Sequence, residues 1–305
     1  MKILGFFISF VIVLLLTPII RKFALKKGFI DKANGDPLKI HKESVAMLGG
    51  VVILVAMAVG MFLAYSVERI AYSLELKMIL AIAIGGVAVF WVGFWDDIKL
   101  AKPRVRVLLE ILAGIIVLLV GIRVNFIPVR WIIVPLTIFY IVGAINAFNV
   151  IDGMDGLCTG VSLISCIGFF FLGLNNQNNL LMVLSAVLFM SLLGFLPYNF
   201  HSAKIFLGNA GSGLIGFLMG AMAVMATAKP YGIANFIAAI LVIGVPVFDM
   251  AFAILRRLIR RKPLSIGDRD HLYDLLLKKG WSQPKVWCVM CGMQLVLVAI
   301  ALGIV

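Results

Sequence analysis

Charge is scarce in this chain. Asp, Glu, Lys and Arg make up 13% of its 305 residues, and the acids number only 14 against 27 basic residues. Soluble domains carry about 25% charge. With 63% hydrophobic residues and a mean hydropathy of +1.13, a soluble globule of this length could not hide its apolar surface. Lipid must be the solvent. The same numbers exclude a disordered chain, a collagen, a coiled coil and a disulfide scaffold. Cysteine is also sparse. Cys158, Cys166, Cys288 and Cys291 all fall in apolar stretches. Cys288 and Cys291 have redox-pair spacing but no flanking His or acid, so all four read as small packing residues. Net charge is +13. In a membrane protein, excess Lys and Arg first report topology, so nucleic acid is not an expected partner.

What is abundant is long apolar runs. A span needs roughly 20 apolar residues. On that template the sequence predicts an all-α polytopic membrane protein of about ten transmembrane helices. These are Ile3–Ile20, Val45–Tyr65, Met78–Trp95, Val105–Gly121, Trp131–Phe148, Leu157–Leu174, Leu180–Tyr198, Phe206–Ala226, Ile233–Ile259 and Val286–Val305. The first could pass for a signal peptide, but no small-residue cleavage site follows, so it is expected to be a retained helix. The ninth run, Ile233 to Lys262, is about 45 Å as a straight helix. It should bend, with Pro246 as the expected hinge. No repeat is visible, and 1–305 reads as one transmembrane domain.

Twenty-one of the 27 basic residues fall in the loops after helices 1, 3, 5, 7 and 9. The positive-inside rule then places those loops in the cytoplasm and both termini outside. Most acids and all three histidines (His41, His201 and His271) fall on the same side. A transporter would more often carry polar groups at mid-membrane; here only Asp249 and Glu110 do so. Glu110 lies one turn from Arg106 and reads as a snorkelling ion pair.

Four motifs carry candidate chemistry. Asp96-Asp97 ends helix 3, and adjacent carboxylates are tolerated where a cation or proton is shared. Asn146, Asn149, Asp152 and Asp155 recur every three residues within Asn146–Leu157. At helical spacing they share a face, while Gly153 and Gly156 suggest a tight turn. Two acids, two amides and no base make a hard-oxygen, cation-seeking site. Gly208-Asn209-Ala210-Gly211-Ser212-Gly213 opens helix 8. Its amides suit an anion such as phosphate, or its small residues serve helix packing. The last inner loop contains Arg269 and His271, which are donors for phosphate. Asp249 is an intramembrane acid and so a functional candidate. Lys39-Ile40-His41 is a weaker element, and Lys102 and Arg106 complete the candidate set.

Together these motifs resemble the polyprenyl-phosphate N-acetylhexosamine-1-phosphate transferase family over Lys39 to about Asp274. The family's fold is a bundle of roughly ten helices with cytoplasmic active-site loops. The resemblance implies transfer of a sugar 1-phosphate, GlcNAc-1-phosphate above all, from a UDP-sugar to undecaprenyl phosphate, with release of UMP. This would be a first membrane step toward O-antigen, enterobacterial common antigen or teichoic acid linkage, at the bacterial cytoplasmic membrane. It implies Mg2+ as cofactor, with Mn2+ as a substitute. It implies Asp96 and Asp97 as catalytic pair, and Asn149 and position 209 as metal ligands. Lys39, His41, Asn146, Asp152, Asp155, Gly208, Arg269 and His271 would bind substrate. A homodimer stays open. The last inner loop lacks the His-His-His run of the UDP-MurNAc-pentapeptide translocases, which remain the alternative. Asn209 stands where the family has Asp, which leaves open an impaired enzyme or a regulator of the same fold.

Overall fold

The computed structural model describes residues 2–32, 43–66, 74–99, 102–126, 129–227, 232–261 and 269–305. Lys39, His41 and Asp268 lie outside these ranges. The described chain runs through α1 (Lys2–Lys27), β1 (Ile30–Asp31), β2 (Val45–Ala46), α2 (Gly49–Tyr65), α3 (Leu74–Lys99), α4 (Pro103–Leu119), α5 (Arg130–Ile151) and α6 (Leu157–Asn175). It continues through α7 (Asn179–Asn199), α8 (Gly208–Ala226), α9 (Gly232–Val242), α10 (Gly244–Ile259), α11 (Leu272–Lys278) and α12 (Gln283–Ile304). Seven of these helices are long and apolar enough to cross a membrane, and α9 with α10 passes the same test as a pair bent at a break. The 17-residue α2 and α4 complete the counterparts of the ten expected segments. Large apolar side chains such as Phe7, Trp91, Trp131, Phe139 and Phe252 face outward. That is the arrangement expected when lipid is the solvent.

Helix α8 is the axis of the bundle. Every residue from Ala210 to Ala226 is buried. Its composition explains this, because Gly and Ala let neighbouring backbones approach where hydrophobic burial supplies no drive between helices. A Cβ on Gly216 would lie 2.7 Å from Ile145 Cα on α5, and one on Gly93 of α3 would lie 2.3 Å from the Asn209 carbonyl oxygen. The small-residue stripe is therefore a packing device, whatever else its first turn does.

The antiparallel strands β1 and β2 close the base of the α1–α2 loop. Beyond them, Phe206 N donates to Ala46 O (2.8 Å), and Gly49 N donates to Phe206 O (2.9 Å). The entry to α2 is thus fastened to the chain just ahead of α8.

The ninth expected helix is not continuous. Helices α9 and α10 meet at Ile243 with a bend of 81°. The break precedes Pro246 by three residues. Proline has no N–H for the carbonyl four residues earlier and its ring crowds that oxygen, so the helix fails one turn before the proline. Of the four free thiols, Cys288 is exposed and the other three are buried.

Candidate functional site

The α3 C-terminus, α4 N-terminus, α5 C-terminus and α8 N-terminus meet at one end of the bundle, the end that the basic residues assign to the cytoplasm. Asp97 joins two of them. Its Oδ1 accepts from Asn209 N (2.8 Å) and its Oδ2 from Ala210 N (3.1 Å). The carboxylate of α3 therefore caps α8, meeting the unpaired amides and partial positive charge of the helix start. Gly208 makes room for it: its φ is +71°, and a Cβ there would sit 2.7 Å from Asp97 Oδ2. The anion at this N-terminus is thus a protein carboxylate.

Asp96 is held differently. Its Oδ2 accepts from Asn209 Nδ2 (3.1 Å) and lies 3.4 Å from Arg106 Nη1. Arg106 also donates from Nε to Glu110 Oε1 (3.0 Å), and Asn146 Nδ2 donates to Glu110 Oε2 (2.6 Å). Glu110 is 1% exposed. It does not snorkel; it is the buried end of a chain running Asp96, Arg106, Glu110, Asn146. Asn149 directs its amide nitrogen to Asn209 Oδ1 (2.9 Å) and its oxygen to the Arg106 guanidinium. Asn209 is therefore a bridge, with its nitrogen on Asp96 and its oxygen on Asn149. It does not cap α8 with its side chain.

Asn146 and Asn149 occupy the last turns of α5, and Asp152 is its C-cap. The chain then turns through Gly156, at φ +67°, into α6. The three-residue repeat is helical in its first half and a turn in its second. Burial raises the Asp152 carboxyl well above the ordinary carboxylate range, and the charges of Asp97 and Asp155 push it the same way. Asp155 turns toward the α7–α8 connection, where its Oδ2 meets His201 Nδ1 (3.0 Å) and accepts from Ala203 N (3.1 Å). Lys102 is exposed at the N-cap of α4.

The last inner loop is a second cluster. Asp249 on α10 meets His271 Nδ1 with Oδ2 (2.8 Å) and accepts from Leu272 N with Oδ1 (2.7 Å), so it both holds His271 and caps α11. Arg269 lies 3.0 Å from Asp274 Oδ1, and Asp274 is buried. Asp270 gathers Lys278 (2.8 Å) and Arg260 (3.3 Å). Tyr273 stacks on His271 at 5.9 Å, with its hydroxyl against Gly153 of the α5–α6 turn. Burial, with Asp274 and Asp249 nearby, pushes the Tyr273 phenol up. The two clusters meet at that contact.

Sequence reasoning paired Glu110 with Arg106 but not with Asn146, and it gave no role to His201, Tyr273 or Ser212, whose hydroxyl lies 3.3 Å from the Asn149 amide. Their roles depend on partners 36 to 63 residues away, and for Tyr273 on a neighbouring loop.

Among the described residues, no three His, Cys, Asp or Glu side chains converge as a metal cage. Acids interleaved with amide oxygens suit a cation that keeps water or phosphate oxygens in its shell, as magnesium does. The donor set therefore fits magnesium.

Residues 79–227, from α3 through α8, match the model of glycosyl transferase family 4. The chain is 31% identical to a probable undecaprenyl-phosphate N-acetylglucosaminyl 1-phosphate transferase of Bacillus subtilis, over 92% of this chain and 78% of that protein. It is 28% identical to an undecaprenyl-phosphate alpha-N-acetylglucosaminyl 1-phosphate transferase of Thermotoga maritima, over 87% and 78%. It is also 28% identical to a phospho-N-acetylmuramoyl-pentapeptide-transferase of Caldicellulosiruptor bescii, over 99% and 97%. With the acid motifs, the helical bundle and these relatives in agreement, the chain belongs to glycosyl transferase family 4.

Proposed function

We propose that this protein transfers GlcNAc-1-phosphate from UDP-GlcNAc to undecaprenyl phosphate and releases UMP, on the cytoplasmic face of a bacterial inner membrane. The observation that carries the reading is the meeting of Asp96, Asp97, Asn149, Asp152 and Asn209 at one end of the bundle. A polyprenyl tail cannot leave the bilayer, so its phosphate must react at the interface, where these acids sit.

The chemistry is phosphoryl transfer, which depends on positioning and on cancelling charge. An oxygen of the lipid phosphate attacks the β-phosphorus of the UDP-sugar, and the bond to the UMP oxygen breaks. Asn149, Asp97 and Asp152, with the oxygen of Asn209, would hold magnesium, which when bound neutralises charge on the pyrophosphate. Asp96, beside Arg106 and Asn209, is the base for the lipid phosphate. Arg269 and His271 donate to the pyrophosphate from the last inner loop. Asp155 and the α5–α6 turn lie on the nucleotide side. Transfer is a single step; a covalent phospho-Asp on Asp96 or Asp97 is the competing course, and sugar phosphate trapped on protein would favour it.

A second donor is supported by the length of the match to the phospho-N-acetylmuramoyl-pentapeptide-transferase. The test is UMP release by purified protein in detergent. UDP-GlcNAc and UDP-MurNAc-pentapeptide are compared, each with and without undecaprenyl phosphate and magnesium. Release from UDP-GlcNAc alone, needing both additions, is expected. Release from the pentapeptide donor would reassign the sugar. No release from either would leave a binding protein of the same fold.

A further inference from the structure

One side chain spans the break between α9 and α10. Gln294 of α12 is fully buried. Its Nε2 donates to Val242 O (2.6 Å) and reaches Leu241 O (3.4 Å), while its Oε1 accepts from Val245 N (3.0 Å). Pro246 creates the need for it. The proline offers no N–H to Val242 O, and the 81° turn at Ile243 separates the strands of the helical ladder. An unmet backbone group inside a bilayer is strongly unfavourable. A primary amide carries a donor and an acceptor on one plane, which is what a carbonyl on one side of a break and an N–H on the other require.

The bend sets where α10 points. Five residues after its start, Asp249 holds His271 and caps α11, and Arg256 donates to the Asp270 carbonyl oxygen (2.7 Å). The path from Gln294 to the last inner loop is therefore continuous and made of hydrogen-bonded groups.

We infer that Gln294 is a positioning residue. It locks the angle of the broken span and, through Asp249, holds His271 where the donor pyrophosphate arrives. The inference rests on the reading that His271 meets that pyrophosphate.

The experiment is a double-mutant cycle with Gln294→Leu, His271→Ala and the pair, in whichever of the wild-type or Asn209→Asp backgrounds turns over faster. Gln294→Leu is expected to lower kcat by about tenfold to a hundredfold, the scale of a displaced reacting geometry, with KM for undecaprenyl phosphate unchanged. The pair is expected to lose no more than His271→Ala alone, because the two residues act in series. Multiplied losses would overturn the inference. If Gln294→Leu does not fold, Gln294→Glu, which keeps the acceptor and loses the donor, carries the same cycle.

The bend is read separately, by the distance between spin labels at Ile237 and Ile259, both exposed, in a Cys288→Ser background. Gln294→Leu is expected to shift and broaden that distance. An unchanged distance would overturn the lock whatever the kinetics. A shifted distance with full activity in His271→Ala would sink the reading of His271 and leave the lock standing.

Discussion

The two polar clusters hold their acids by different means. At the α3–α8 junction, Asp97 is fixed by two backbone amides on the most buried helix of the bundle. Around the last inner loop, Asp270 and Asp274 are fixed by cationic side chains, and Asp249 of α10 by His271 together with the Leu272 amide. Backbone amides fix a carboxylate while leaving its charge unneutralised, so Asp97, unlike Asp96 beside Arg106, keeps its appetite for a cation. Ion pairs cancel the charge and hold Arg269 and His271, the proposed phosphate donors, in place. The first cluster is mounted on a packed helix terminus, the second on a helix that begins at an 81° break.

The largest effect should come from the α3–α8 junction. Asp97→Asn keeps one acceptor for the α8 amides and is expected to cost stability by about 1 kcal/mol, the scale of a helix cap. Its turnover should fall by roughly a hundredfold or more, the scale of general acid–base and charge effects. UMP release and thermal melting on one preparation separate the two. Comparable losses in both readouts would make Asp97 a cap and nothing else.

Asn209→Asp is the next lever. The change replaces a donor 3.1 Å from Asp96 Oδ2 with a second carboxylate. The metal-free protein should melt earlier, because like charges meet in a poorly solvated site. Magnesium should restore it, and magnesium-dependent transfer should rise by about tenfold, equivalent to about 1.4 kcal/mol. Superimposable magnesium curves for the two forms would remove position 209 from the metal site.

In the second cluster, Asp249→Ala removes the partner of His271 and the cap of α11. A loss of about 3 kcal/mol is expected from breaking a buried pair. Its rate loss should match that of His271→Ala when both are measured below their melting temperatures. A rate much lower than that of His271→Ala would give Asp249 a role of its own.

The smallest effect is a pH slope. The Asp152 carboxyl is raised in the fold by burial, Asp97 and Asp155. A carboxyl raised above its unfolded value contributes stability below that unfolded value and loses it as pH rises through the folded one. Without metal, the melting temperature should therefore fall as pH rises above the ordinary carboxylate range. Asp152→Asn should flatten the slope. An equal slope in both proteins would assign it to another group.

Much of this molecule could be read from the chain. The apolar runs marked the ten segments because span length is set by bilayer thickness. The acid pair and the Asn-Asp repeat marked the candidate site because carboxylates are rare in lipid. Local periodicity could not show that Asp97 caps a helix starting 111 residues later, or that Glu110 turns inward to Asn146. Both depend on which helix ends meet. Pro246 announced the bend, but the residue that satisfies it, Gln294, lies 48 positions on, in an apolar run that looks like an ordinary span.

The most direct test follows the phosphorus. UDP-GlcNAc labelled at the β-phosphate is incubated with purified protein, undecaprenyl phosphate and magnesium, and the organic and aqueous phases are separated. The account predicts label in the lipid phase, unlabelled UMP in water, and neither with Asp97→Asn. Label that stays in the aqueous phase with both the wild-type protein and Asn209→Asp would contradict it.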